Sequence, residues 1–155
     1  MKIRKGTKKD FPKLVELSYQ LFLETNKKHG GQFDISKDFH KLEIKDFEKE
    51  IRKRKAVFFL AEKDKEIIGF VYGQIQKLEK YMFKEKYRGH VGILYVKPEY
   101  RSKGIGTKLF KELEKWFKKR GITFLDVSVM VKNPKAKKLY RELGFRPMIE
   151  FWWMR

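Results

Sequence analysis

Between Phe11 and Phe22 the apolar positions Phe11, Leu14, Val15, Leu17, Leu21 and Phe22 recur every three or four residues, which predicts an amphipathic helix. Ahead of it, Thr7 and Asp10 stand at capping spacing, and Lys2–Arg4 reads as a short first strand. Gly30-Gly31 stops the helix. Asp34 or Ser36 caps a second one, with Phe39, Leu42, Phe47 and Ile51 on one face among acids and lysines. The period then changes. Ala56–Ala61 is a continuous apolar run, Asp64-Lys65 a turn, and Glu66–Gln76 a second strand, so 56–76 predicts a hairpin. Leu78–Arg88 is charged and aromatic and reads as loop. His90–Val96 is a strong strand ending at Lys97-Pro98. From Gly104 to Arg120, Ile105, Leu109, Leu113, Trp116 and Phe117 form one stripe of a helix that Gly121 ends. Thr123–Val131 predicts a strand, Pro134–Leu143 a helix closed by Gly144, and Phe145–Met154 a final strand. Phe151-Trp152-Trp153-Met154, apolar on both faces, is expected as buried strand; a dimer seam or a pocket wall is the alternative.

Helical and strand periods alternate without a repeat or a Pro/Gly/Ser-rich linker, which predicts one α/β domain over residues 1–155. With 41% hydrophobic and 15% aromatic residues the chain can build a real core, which excludes disorder as its main state. Zero Cys excludes a disulfide scaffold, and Ala56–Ala61, the longest apolar run, is far short of a membrane span. No apolar stretch follows the charged start, so the expected location is the cytoplasm, without membrane association. Asn and Gln are scarce beside Lys and Glu, a thermophile-like composition. Thirty-nine Lys and Arg against 20 Asp and Glu give a net charge of +19. A field of that sign attracts nucleic acid, an anionic membrane or a phosphorylated cofactor, or it is a solvated lysine surface.

One segment carries chemistry. A strand, Val91–Val96, runs into Arg101-Ser102-Lys103-Gly104-Ile105-Gly106 and then a helix. Two glycines let backbone N–H groups approach an anion, and a helix start adds unpaired donors and the positive end of its dipole. The expectation is a diphosphate cradle. A dinucleotide fingerprint would need Gly where Leu109 stands, and a P-loop would need Lys directly after Gly106, where Thr107 stands.

Arg-x-x-Gly-x-Gly after Val-x-Pro-x-Tyr resembles the coenzyme A loop of the GCN5-related N-acetyltransferases (GNAT). Asn133-x-x-Ala136-x-x-x-Tyr140-x-x-x-Gly144-Phe145 resembles a second motif of that family, about 30 residues on, and Ile3-Arg4-x-x-Thr7-x-x-Asp10-x-x-x-Leu14 fits its first strand and helix. The resemblance covers nearly the whole chain. It implies a mixed, mostly antiparallel central sheet flanked by helices, and acetyl-CoA as cosubstrate with no metal. It also implies residue roles. The amides from Arg101 through Ser102, Lys103, Gly104, Ile105, Gly106 and Thr107 would hold the pyrophosphate. Leu94, Tyr95 and Val96 would pair with the pantetheine arm, with the amide of Leu94 or Tyr95 polarising the thioester carbonyl. Asn133 and Ala136 would touch the pantetheine, and Tyr140 would sit near the sulfur.

A lysine-type amine is only about 0.04% neutral at pH 7. The site must therefore take a proton from the amine and return one to the leaving thiolate. Tyr140 is the candidate acid; packing on the sheet is its alternative role. His90, eleven positions before Arg101, is the candidate base, because some family members carry a general-base Glu there. Plain alternation puts His90 on the face of Gly92, Leu94 and Val96. Glu79, Glu85, Glu99 and ordered water are alternatives. Three scattered His and no Cys disfavour a metal cluster. Arg52-Lys53-Arg54-Lys55 reads as a solvated helix end.

The expected function is acetyl transfer from acetyl-CoA to a primary amine of a protein N-terminus, a lysine or a small molecule, with a homodimer as one assembly. The alternative is a non-catalytic acyl-CoA-binding or basic nucleic-acid-binding module on the same fold. A +19 surface repels polycations, which disfavours polyamine and aminoglycoside acceptors unless Asp34, Asp38, Glu43 and Asp46 cluster near the site.

Overall fold

A computed structural model describes every residue except 32–33, 80–82, 153 and 155. Its elements are β1 (Lys2–Lys5), α1 (Phe11–Lys28), α2 (Phe39–Arg52), β2 (Ala56–Lys63), β3 (Glu66–Lys77), β4 (Tyr87–Val96), α3 (Ile105–Lys118), β5 (Leu125–Val127) and α4 (Pro134–Glu142). The five strands lie in chain order in one sheet. The first four pair antiparallel, and β5 runs parallel to β4.

Each face of the sheet buries one helical layer. Beneath α3, the stripe Ile105, Leu109, Leu113 and Phe117 packs on Val57, Val71 and Val91. Beneath α1 and α2, Phe11, Phe47, Phe58 and Tyr72 interlock, with ring centroids 4.6 Å apart for Phe47–Phe58 and 4.7 Å for Phe58–Tyr72. Thr7 and Asp10 form the expected cap: the Asp10 carboxylate accepts from the Thr7 N–H at 2.8 Å and from Arg4 at 2.7 Å. The Arg4 guanidinium holds Asp10 well below the usual carboxylate range, at about 2.

Four expectations change. The segment read as loop, 78–88, gives its last two residues to β4, which begins at Tyr87; the Lys80–Met82 part lies outside the described residues. The strand read over 123–131 shortens to Leu125–Val127, because only Gly89–Val91 of β4 pair with it. Phe145–Met154 forms no strand among its described residues, and Phe151 (87% exposed) and Trp152 (83%) are not buried. Gly144 turns the chain at φ +94°, Pro147 supplies no N–H, and a three-residue β5 offers a short ladder for pairing. Trp153 lies outside the described residues.

The fourth change matters most. Tyr72 pairs with Ile93 but Gly73 with Val91, so Gly92 is an extra residue on β4. This bulge reverses the strand's alternation. Val91 before it and Leu94 and Val96 after it all pack on the α3 side, while Ile93 and Tyr95 pack on the α1/α2 side. His90, opposite in sense to Val91, therefore faces the α1/α2 layer and does not share the face of Leu94 and Val96. Among the described residues no helix is long and apolar enough to cross a membrane.

Candidate active site

The turn after β4 leads straight into α3. Ser102 and Gly104 adopt left-handed backbone at φ +61° and +72°, and Gly104 is the N-cap of α3 without any side-chain cap. Among the described residues, no acceptor takes the N–H groups of residues 102–107; the first helical bond of α3 runs from the Lys108 N–H to the Gly104 carbonyl at 3.1 Å. Gly104 is explained by its φ. Gly106 is not: its backbone is helical, and a Cβ there would meet only Leu139 at 3.4 Å and Leu94 at 3.8 Å. A glycine inside a helix costs about 1 kcal/mol relative to alanine. No packing among the described residues demands it, and its effect is to leave the amides uncovered.

Arg101 serves this turn with its side chain turned inward. Its Nε donates to the Val96 carbonyl at 2.7 Å, and its Nη2 donates to both Glu24 carboxylate oxygens at 2.9 Å. The guanidinium also lies over the Tyr95 ring, whose hydroxyl donates to Glu24 at 3.4 Å. The turn is thus anchored to α1 across 77 positions of sequence. Beside it, a cavity of about 290 Å³ is lined by Lys63, Lys103 and Lys108 with Tyr100 and Ile105.

The strand before the turn is open on one side. β5 leaves β4 at Val91, so the edge of Leu94, Tyr95 and Val96 away from β3 has no strand partner among the described residues. Leu94 leans towards Gly106 and, with Leu139 of α4, lines the same corner. Asn133 caps α4: its Oδ1 accepts from the Ala136 N–H at 3.2 Å, which gives the Asn-x-x-Ala spacing a local structural reason. Tyr140, only 8% exposed, packs edge-on against Phe145 at 5.4 Å. Burial pushes its phenol above the ordinary tyrosine range, so it keeps its proton at any neutral pH.

His90 lies on the other face, 20% exposed at its side chain, with Nδ1 2.9 Å from the Asp126 carboxylate. A carboxylate only accepts, so Nδ1 carries the proton and a neutral ring has its lone pair on Nε2. Arg88 donates to the second Asp126 oxygen at 2.6 Å and to Gln76 at 2.8 Å, which fixes the carboxylate. Across the ladder His90 pairs with Gln74, a wall residue of a cavity of about 390 Å³. Gly92 and Ile93 of the bulge form part of the same wall. Asp126 and Glu24 escaped the sequence reading. Asp126 had one signal, an acid in the middle of a strand; Glu24 had none.

Residues 19–145 match the model of the acetyltransferase (GNAT) family. The chain is 32% identical over 105 residues to an N-alpha-acetyltransferase of Sulfurisphaera tokodaii, covering 64% of this chain and 62% of that one. It is 40% identical over 57 residues to a thialysine N-epsilon-acetyltransferase of Sus scrofa, covering 37% and 34%. The match thus spans less than two-thirds of either relative's length. In three dimensions it resembles a predicted acetyltransferase with acetyl-CoA from Clostridium acetobutylicum, with a TM-score of 0.83 at 20% identity over 99% of this chain and 95% of that one. That likeness is one of overall fold, and the family model covers most of the chain's length: this chain belongs to the acetyltransferase (GNAT) family.

Proposed function

We propose that the protein transfers an acetyl group from acetyl-CoA to a primary amine by direct attack in a ternary complex. The observation that carries this reading is the row of uncapped amides at 102–107 over a Gly106 that no internal contact requires, reached directly from a strand edge that β5 leaves unpaired. The amides would hold the pyrophosphate, and Lys63, Lys103 and Lys108 would add charge for the nucleotide's phosphates. The pantetheine arm would lie along Leu94–Val96 as an added strand, with Asn133 and Ala136 beside it and the Leu94 or Tyr95 amide on the thioester oxygen.

The amine enters as an ammonium and must lose two protons. His90 Nε2 takes one, with Asp126 holding the ring in the required tautomer. The nitrogen then attacks the carbonyl carbon and the C–S bond breaks. Tyr140 gives its proton to the departing thiolate, and the second proton from nitrogen replaces it. Burial keeps the Tyr140 phenol protonated and makes it a weaker acid, so its donation depends on the second nitrogen proton arriving as the thiolate takes the first.

Coenzyme A binding by calorimetry tests the central claim. Gly106→Val, which covers the amides, is expected to weaken it about a hundredfold while leaving the fold's circular dichroism unchanged. Equal affinity in the folded variant would remove the reading.

A further inference from the structure

The larger cavity has the wrong sign for this molecule. The chain carries 39 cationic side chains against 20 anionic ones, yet the cavity beside the Gly92 bulge is lined by Glu43, Asp46 and Glu50, one stripe of α2 at i, i+3 and i+7. Facing them are Tyr72, Gln74 and Ile93. Among the described residues, no lysine or arginine lines it. Glu50 has Lys53 as a partner at 3.0 Å, but neither Glu43 nor Asp46 forms an ion pair among the described residues. In a chain with nearly two cations per anion, two neighbouring carboxylates without a counter-ion are a specific arrangement.

Three further observations show that the charge is held at a cost. Burial, then the Asp46 carboxylate, raises Glu43 above the ordinary glutamate range. The Tyr72 phenol is pushed up by burial and then by Glu50, Glu43 and Asp46, so the negative field reaches across the cavity. Beneath Glu43, the wholly buried Ser18 hydroxyl has no partner of ordinary hydrogen-bond geometry, although its proximity draws Glu43 part of the way back down. A cation in the cavity would relieve the repulsion between Glu43 and Asp46 and draw Glu43 into a geometry that Ser18 can satisfy.

The cavity also lies where an acceptor must enter. Its wall includes Gly92 and Ile93, where the free edge of β4 begins, and Gln74, the ladder partner of His90. We infer that the acceptor is a small polycationic amine, one carrying a second ammonium or guanidinium besides the nitrogen that is acetylated. Glu43 and Asp46 hold the distal charge and the reacting nitrogen is presented towards β4. A volume of about 390 Å³ suits a short flexible molecule better than a folded protein surface. The repulsion expected from the +19 surface does not decide the matter, because at physiological salt it is screened within about 8 Å while the carboxylates are in contact range.

This inference rests on the proposed acetyl transfer for its meaning but not for its test. Calorimetric titration of the full chain, without coenzyme A, compares 1,4-diaminobutane and spermidine with butylamine. The expected result is at least about tenfold tighter binding of the polycations, reduced to parity by the double substitution Glu43→Gln with Asp46→Asn. That variant removes a repulsion, so it is expected to keep or raise Tm, and Tm measures its folding. Equal binding of butylamine and diamines, or an unchanged preference in the folded variant, would overturn the inference. Failure to bind coenzyme A would instead overturn the acetyl-transfer reading and leave the titration's answer about the cavity standing. Where turnover is observed, kcat/KM for the diamine is expected to fall about tenfold in the variant, while that for butylamine stays level.

Discussion

Two hollows flank the strand β4 and the turn that follows it, and they carry opposite charge. The smaller presents Lys63, Lys103 and Lys108 next to a row of free amides; the larger presents Glu43, Asp46 and Glu50 next to the bulge. A net charge of +19 describes the far field and therefore fits only the first. Inside either hollow the deciding charges are a few ångströms away, and composition says nothing about which they are. A two-substrate reaction gives this contrast a use, because an anionic nucleotide and a cationic amine can then be sorted to their own sides before they meet at the bulge.

The amide side is the place to break the contrast hardest. Beyond the hundredfold loss expected for Gly106→Val, Arg101→Ala is expected to weaken coenzyme A about tenfold by freeing the turn from Val96 and Glu24, read as a rise in KM for acetyl-CoA. At the centre, His90→Ala is expected to lower kcat by about two orders of magnitude and to keep coenzyme A affinity. Asp126→Asn is expected to lower kcat about tenfold and keep coenzyme A affinity, because it disturbs the tautomer and not the turn. An unaltered kcat in His90→Ala would return the base to water or another residue.

The smallest effects concern stability and differ in sign between the two carboxylates that titrate abnormally. Asp10 is depressed in the fold, so its contribution is present above the ordinary aspartate range and is lost as pH falls towards about 2. Acid unfolding of Arg4→Ala is accordingly expected to begin at a higher pH than that of the parent. Glu43 is raised, so its contribution is present at low pH and is lost as pH rises through its folded value. Glu43→Gln is therefore expected to raise Tm by about 1–3 °C at pH 7, with the gain shrinking at pH 4.

Local pattern made several elements legible. The α3 stripe, the β2–β3 hairpin, the Thr7–Asp10 cap and the glycine turn all depend on residues a few positions apart. The same holds for α4, whose Asn133 cap and Ala136 amide are three residues from each other. The irregular path of the described residues of 145–154 was not legible, because their apolar composition reads as strand while the edge strand β5 offers only three residues for pairing. Nor was the face of His90, because one extra residue at Gly92 inverts an alternation that the sequence states only as a run of strand formers.

By itself the sequence determined the helices, the β2–β3 hairpin and which turn exposes its amides, since capping, period and glycine conformation act over a single turn of chain. Tertiary structure alone decided the partners: Asp126 for His90 through a parallel ladder, Glu24 for Arg101, and the acids of α2 opposite Tyr72. Those meetings join residues tens of positions apart, and their distances are set by how the layers pack, which no local pattern encodes.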